Sequence, residues 1–362
     1  MKMEAPRVTV AIPCGDGERY IGESIRSVLC QTHRNIEVLV MDQQSTDRTH
    51  RIAEDFHDPR LTVLRNPVCL SIGANWNQGL RHGSGPYVII HHQDDVMTPD
   101  SIARKVSFFE AHPQAGFVYS RVEVIDGEGM ALPDQRRWFS NALFDGDHLF
   151  ESLPFFMALL LGKNLICCPG VMMKRSAALG VGGFNEEMPF TLDWEMWLRM
   201  AAAYPVGYVD AVTMCYRVHR GMDSLKHVDQ IAKHSYAARL SAVTRSTALL
   251  DRWASADVCA EIVSLVRQIE ERSPQPRGLE ILAPPVSEPV GAANGSARIR
   301  ELIGPIRDPR DRVAALLREV ARLDADREAL RGRVKEYEES ASFRLGRLLL
   351  APVRWIRRTR DR

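Results

Sequence analysis

No two cysteines in this chain have the CxxC spacing of a redox or zinc site, although there are seven cysteines among 362 residues. Cys167 and Cys168 are adjacent, which suits buried strand residues better than zinc ligation or a disulfide framework. The expected setting is therefore reducing and cytoplasmic. Charge of one sign is not in excess either. The 47 Lys+Arg against 46 Asp+Glu leave a formal net charge of +1, so the molecule as a whole does not advertise a nucleic-acid partner. No apolar run approaches the ~20 residues needed to cross a bilayer; the most apolar window, 153–161, is too short. Strand-like sequence is reached by Val8, which leaves no room for a signal peptide. No GxGxxG follows the first apolar run and no Walker lysine loop occurs, which argues against a dinucleotide dehydrogenase or a P-loop NTPase.

What is there begins with the octapeptide from Val88 to Asp95. Val88, Ile89 and Ile90 read as a strand buried on both faces, after which the chain turns polar and ends on two adjacent carboxylates, Asp94 and Asp95. Thr98, Pro99 and Asp100 follow as a helix-start signal. A buried strand thus delivers two acids to its C-terminal end, where open α/β sheets keep their ligands. Such carboxylates can hold a hard dication such as Mg²⁺ or Mn²⁺, and through it a diphosphate. They can equally cap the next helix and face water.

The flanking chain alternates between two periods. Strand-like runs at 8–13, 36–41, 61–64, 88–91 and 116–120 are separated by helical patterns at 20–31, 45–56, 72–81 and from Ile102 to Phe109. In the first helix Ile21, Ile25, Val28 and Leu29 fall at i, i+4, i+7 and i+8. This alternation predicts an α/β fold of right-handed βαβ units around a mostly parallel sheet. Pro13 and Asp42 end the first two strands as Asp94 and Asp95 end the fourth, so all three ends should line one crevice.

Together these residues resemble a family. The 8–13 strand, Gln31-Thr32, the 42–47 segment beginning at Asp42, residues 75–79, the acid pair after His92 and Gln93, Gly182-Gly183-Phe184 and the helix opening at Asp193 look like glycosyltransferase family 2. The resemblance runs over roughly residues 6–220. It implies a GT-A fold, Rossmann-like with its sheet sandwiched by helices, and an inverting transfer of sugar from a nucleotide-diphosphate donor with Mn²⁺ or Mg²⁺. By that resemblance Asp42 contacts the nucleotide base, while Pro13 and Asp16 belong to the loop over the nucleotide. Gln43 and Gln44, and Cys14 and Gly15, stand where the family more often has other residues. His92 occupies the place of a frequent first Asp, with Asp94 and Asp95 retained as the metal and ribose-phosphate pair; His92 could bond the ribose or a phosphate. Asp193 matches the general base, with Leu192 replacing a usual Glu and Glu195 as a reserve. A helix N-terminus would hold its pKa down unless burial offsets this. Arg217 and His219, in a Tyr-Arg-x-His segment, could steady the leaving diphosphate. No Gln-x-x-Arg-Trp follows, which argues against a processive synthase.

The domain organisation expected is a catalytic domain at 1–222, a helical extension at 223–272, a Pro/Gly-rich linker at 273–298, a coiled-coil-like helix at 299–340 and a basic amphipathic tail at 341–362. Val313, Val320 and Val334 form one heptad row and Leu316, Leu323, Leu330 and Tyr337 the other, with Arg327 the breach, which suggests a homodimer. A helix docked within the chain is the alternative. The tail mixes Phe343, Leu348, Leu349, Leu350, Trp355 and Ile356 with seven arginines, as in segments that lie on anionic membranes. The overall expectation is a metal-dependent glycosyltransferase, peripheral on the cytoplasmic membrane face. It would use a nucleotide sugar, a UDP-sugar by preference, and a saccharide or lipid-linked acceptor in surface-polysaccharide synthesis. A nucleotidyltransferase and an inactive scaffold are the rival readings.

Overall fold

Runs of β-branched and aliphatic residues buried on both faces build the first half of the sheet. The structure, a computed structural model, describes residues 5–132, 146–161, 164, 166–222 and 228–246. All of them belong to the first of two units of the chain, Met1–Arg300. The linker, the coiled-coil-like helix with its homodimer, and the membrane-binding tail expected from residue 273 onward lie outside the described residues.

β1 (Val8–Cys14) is buried at every position except Pro13, which is half-buried. α1 (Ile21–Leu29) follows and turns Ile21, Ser24, Ile25, Val28 and Leu29 inward, the spacing read from the sequence. The alternation continues through β2 (Ile36–Asp42), α2 (Thr49–Glu54), β3 (Leu61–Arg65), α3 (Ile72–His82) and β4 (Tyr87–Ile90). Ser71 caps α3 by accepting from the Ala74 amide at 3.2 Å. β5 (Val96–Met97) is a short strand that the polar 91–95 turn had concealed, and α4 (Ser101–Ala111) comes next. Its first turn is satisfied from outside the helix, since the Gln31 side chain accepts from the Ile102 amide at 3.1 Å.

β6 (Phe117–Ile125), β7 (His148–Phe150), α5 (Ser152–Leu161), a 3₁₀ turn at Cys168–Gly170, β8 (Met172–Lys174), α6 (Arg175–Gly180), α7 (Leu192–Ala203), β9 (Val206–Arg217) and α8 (Val228–Arg245) complete the described elements. The sheet runs β3-β2-β1-β4-β8-β6-β9-β5, with β7 on β9. β1 pairs in parallel with β2 and β4, β2 with β3, and β6 with β9. β8 lies antiparallel between β4 and β6, so those two strands share a direction without touching. The fold is α/β with a mostly parallel sheet, as the alternation predicted. The antiparallel members β5, β7 and β8 are only two or three residues long, too short to show a period. Of the helical extension expected at 223–272, Val228–Arg245 is helical and packs on α7. Among the described residues no helix is long and apolar enough to cross a membrane.

Candidate active site

The C-terminal ends of β1, β2 and β4 come together as expected, and polar side chains lace their loops to one another. After β1, Asp16 adopts φ +45°, and its Oδ1 accepts from the Thr46 amide at 2.7 Å, the Thr46 hydroxyl at 3.2 Å and the Asp47 amide at 3.4 Å. Asp16 therefore holds the loop that follows β2. Asp42 ends β2 fully buried. Its Oδ1 accepts from the amide and hydroxyl of Ser45, at 3.0 and 2.5 Å. Its Oδ2 lies 3.3 Å from His50 Nδ1 and 3.6 Å from Arg65 Nε, and no hydrogen bond reaches it. Only that oxygen is left for a base contact. Gln93 ties the first loop to the third: its Oε1 accepts from the Gly15 amide at 3.0 Å and its Nε2 donates to the Gly15 carbonyl at 3.2 Å.

At the end of β4 the two carboxylates separate in character. Burial pushes the Asp94 pKa up, but the hydrogen bond from His219 and the electrostatic pull of the neighbouring His92 and His219 rings outweigh it, so Asp94 falls below the usual range. His219 Nε2 is 2.9 Å from Asp94 Oδ2, and His219 Nδ1 accepts from the Gly221 amide at 3.2 Å. That second bond fixes the tautomer, with the proton on Nε2 donated to Asp94. Asp95 is fully buried and its pKa is pushed well up, by burial first and then by the charge of Asp94. Its Oδ1 accepts the Arg217 backbone amide at 2.8 Å, while its Oδ2 is buried with no hydrogen-bond partner. His92, Asp94 and Asp95 each offer a donor atom, and those atoms lie within 4.8 Å of one another. An orphaned, buried carboxylate oxygen beside a second carboxylate and an imidazole fits a divalent cation.

Arg217 does not fill the role expected of it. It is almost fully buried. Nε donates to the Asp94 carbonyl at 2.8 Å, Nη1 to the carbonyls of Asp126 and Gly127 at 3.3 and 3.5 Å, and Nη2 to Glu23 at 2.7 Å. Its guanidinium also lies over the Tyr20 ring, 4.7 Å from the centroid. A fork so fully engaged positions the acid loop instead of meeting phosphate.

Asp193 stands in the first turn of α7 but does not cap it, because the N-cap is Thr191, in the left-handed region at φ +58°. Asn164 Nδ2 donates to Asp193 Oδ2 at 3.0 Å. Burial raises the Asp193 pKa and prevails over the hydrogen bonds from Trp194 and Asn164, so desolvation outweighs the helix terminus. Burial raises the Cys167 and Cys168 thiols, and the charges of Asp193 and Asp95 add to that rise. The reserve candidate, Glu195, is corrected by the structure. It is fully buried and held by Arg199 through two contacts, Nε–Oε1 at 2.8 Å and Nη2–Oε2 at 2.6 Å, so it serves the fold.

Residues 9–178 match the family model described as "Glycosyl transferase family 2". Over that span the chain carries a glycosyltransferase family 2 domain. Among its relatives is an uncharacterized glycosyltransferase of Rickettsia typhi, 27% identical over 236 residues that make up 64% of this chain and 70% of the relative. A chondroitin synthase of Escherichia coli is 26% identical over 228 residues, 62% of this chain but only 31% of the synthase. Among solved structures, S. aureus TarS 1-349 in complex with UDP-GlcNAc aligns with a TM-score of 0.56 at 16% identity, covering 88% of each chain. That likeness shows the fold, which is the GT-A type expected.

Several residues that shape this candidate site were not singled out as site residues from the sequence. Asn77 accepts from the Phe184 amide at 2.8 Å and donates to its carbonyl at 2.9 Å, gripping the Gly182-Gly183-Phe184 turn from α3. Both glycines have positive φ, +93° and +69°, so the turn needs them. From the other side Arg199 donates to the Val181 and Gly183 carbonyls at 2.5 and 2.7 Å. Trp76 packs between Phe184 and His92, with ring centroids at 5.1 and 5.3 Å. The 75–79 segment carried the family resemblance, yet nothing in its spacing named Asn77 or Trp76 as the contact.

Proposed function

We propose that this glycosyltransferase transfers a sugar, with inversion, from a nucleoside-diphosphate donor to a saccharide or lipid-linked acceptor in surface-polysaccharide assembly. The observation that carries the reading is the buried, unpartnered Oδ2 of Asp95 beside Asp94 and His92 at the end of β4. Asp94 and Asp95 would hold Mn²⁺ or Mg²⁺, with His92 beside them, and the ion would offset the charge of the departing diphosphate. The loops bearing Pro13, Asp16 and Asp42 would seat the nucleotide, Asp42 through Oδ2. His219 orients Asp94 through their hydrogen bond. The donor class is supported by the UDP-GlcNAc of the TarS complex, and the polysaccharide context by the relative called chondroitin synthase.

Chemically the transfer is one in-line displacement. The acceptor hydroxyl oxygen bonds to the anomeric carbon as the bond from that carbon to the diphosphate breaks, and the hydroxyl proton passes to the Asp193 carboxylate. A carboxylate with a raised pKa, anchored by Asn164, suits that role. Desolvated positioning of both reactants supplies much of the rate. The basic sequence at 341–362 would adsorb to an anionic membrane, and the heptad pattern within 299–340 would pair two copies. The test is Asp193→Asn. Transfer from a UDP-sugar should fall by about a thousandfold or more, while calorimetric binding of UDP with Mn²⁺ stays within about twofold. An active Asp193→Asn enzyme would refute the assignment of the base.

A further inference from the structure

The carboxylate pair has a nitrogen companion whose chemistry sorts cations. We infer that His92 makes this a mixed nitrogen–oxygen site that selects Mn²⁺ and later first-row dications over Mg²⁺. This rests on the metal reading above and goes on to say which metal. His92, Asp94 and Asp95 each offer one donor atom, all within 4.8 Å of one another. Asp95 Oδ2 is buried without a hydrogen bond, and His92 Nδ1 is the near nitrogen, 3.7 Å away. The imidazole is not loose, because its ring packs on Trp76 at a centroid distance of 5.3 Å, and the backbone beneath it is held by the Ser24 hydroxyl, which donates to the His92 main-chain carbonyl at 3.1 Å. Trp76 is itself buried against Phe184.

Mg²⁺ is small and hard, prefers oxygen in near-octahedral arrangement and gives up water reluctantly. An imidazole in its shell costs it a better ligand. Mn²⁺ accepts carboxylate oxygen readily and imidazole tolerably, and Co²⁺ and Zn²⁺ favour imidazole more strongly. A neutral ring also contributes no negative charge, so the site loses electrostatic pull where Mg²⁺ depends on it most. Both effects run the same way.

The test uses full-length protein with UDP and Mn²⁺, and reads metal, not turnover. Loss of the free Mn²⁺ electron paramagnetic resonance signal gives its affinity, and competition gives that of Mg²⁺. Wild type should prefer Mn²⁺ by at least about tenfold, and His92→Asp should shrink that preference by about tenfold, chiefly by tightening Mg²⁺. His92→Ala should weaken Mn²⁺ and leave Mg²⁺ within about twofold. Electron spin-echo modulation of the bound Mn²⁺ should carry an imidazole nitrogen signature in wild type and lose it in His92→Asp. Circular dichroism matching wild type establishes that each variant is folded. If both variants bind Mn²⁺ and Mg²⁺ in the wild-type ratio, or the nitrogen signal persists in His92→Asp, the selectivity inference fails and the metal site stands. If wild type takes up no Mn²⁺ with UDP, the metal reading beneath it fails as well.

Discussion

Replacing Arg199 by Met tests whether the helix that carries Asp193 is fastened as the contacts indicate. Arg199 and Glu195 are almost wholly buried, at 2% and 0% side-chain exposure. Loss of the guanidinium leaves the Glu195 carboxylate inside the protein with Ser241 at 3.0 Å and Arg245 at 3.4 Å. Breaking a buried ion pair by removing one partner costs about 3–5 kcal/mol. Two further hydrogen bonds, to the Val181 and Gly183 carbonyls, disappear with it, each worth about 1 kcal/mol. Arg245, 39% exposed, turns onto the stranded carboxylate and offsets part of the loss. We expect a net cost of about 4 kcal/mol for Arg199→Met. In the double variant Arg199→Met with Glu195→Leu no charge is stranded, so about half of the loss should return. Urea unfolding followed by the fluorescence of Trp194 and Trp197, on the same helix, reads both. The reasoning fails if Arg199→Met costs under about 1 kcal/mol, or if the double variant is less stable than the single one.

Other consequences can be measured alongside it. A base must be ionised to work, so transfer should decline as pH falls through the raised Asp193 pKa, with its acid limb above the ordinary carboxylate value of about 4; a rate that stays flat to pH 4 contradicts this. Lys105 is buried, donates to Ser101 at 2.8 Å and Thr213 at 2.6 Å, and has its pKa pulled down to about 7 by burial. The unfolded chain then binds the extra proton between about pH 7 and 10.5, so stability should climb across that window. Lys105→Met should flatten the climb and gain most at or below pH 7, by about 5 kcal/mol at the upper limit, as pH-dependent urea midpoints would reveal. Gly183→Ala puts a methyl group 2.6 Å from Asn77 Oδ1 at φ +69°; a loss of about 2–3 kcal/mol should register in thermal unfolding, and its absence would mean that the turn yields freely.

How much of this was legible beforehand follows from where each property resides. β1 and β4 declare themselves through short runs rich in Val and Ile, and Asp94 and Asp95 through their position at a strand end, because both are local to the sequence. Asp193 was also local, opening a periodic helix, although its raised pKa depends on what buries it. Glu195 and Arg217 misled for the opposite reason. Acid and base at such positions look available until their partners are known, and those partners sit four residues on for Glu195 and as far back as Glu23 for Arg217. β8 carries only Met172, Met173 and Lys174, too few residues to establish an alternation. Its insertion between β4 and β6 could be learned only from the assembled sheet.

That insertion bears on how the polypeptide emerges from the ribosome. Met173 is the neighbour of both Val88 and Phe117, so the inner flank of β4 stays open until the chain beyond residue 172 has been made. The roughly 80 residues in between take on the order of 4–16 s at ~5–20 residues per second. Through that interval the nascent first half of the sheet presents an unpaired, apolar strand edge. Its exposure to chaperones and to self-association is thus set by the timing of a three-residue strand.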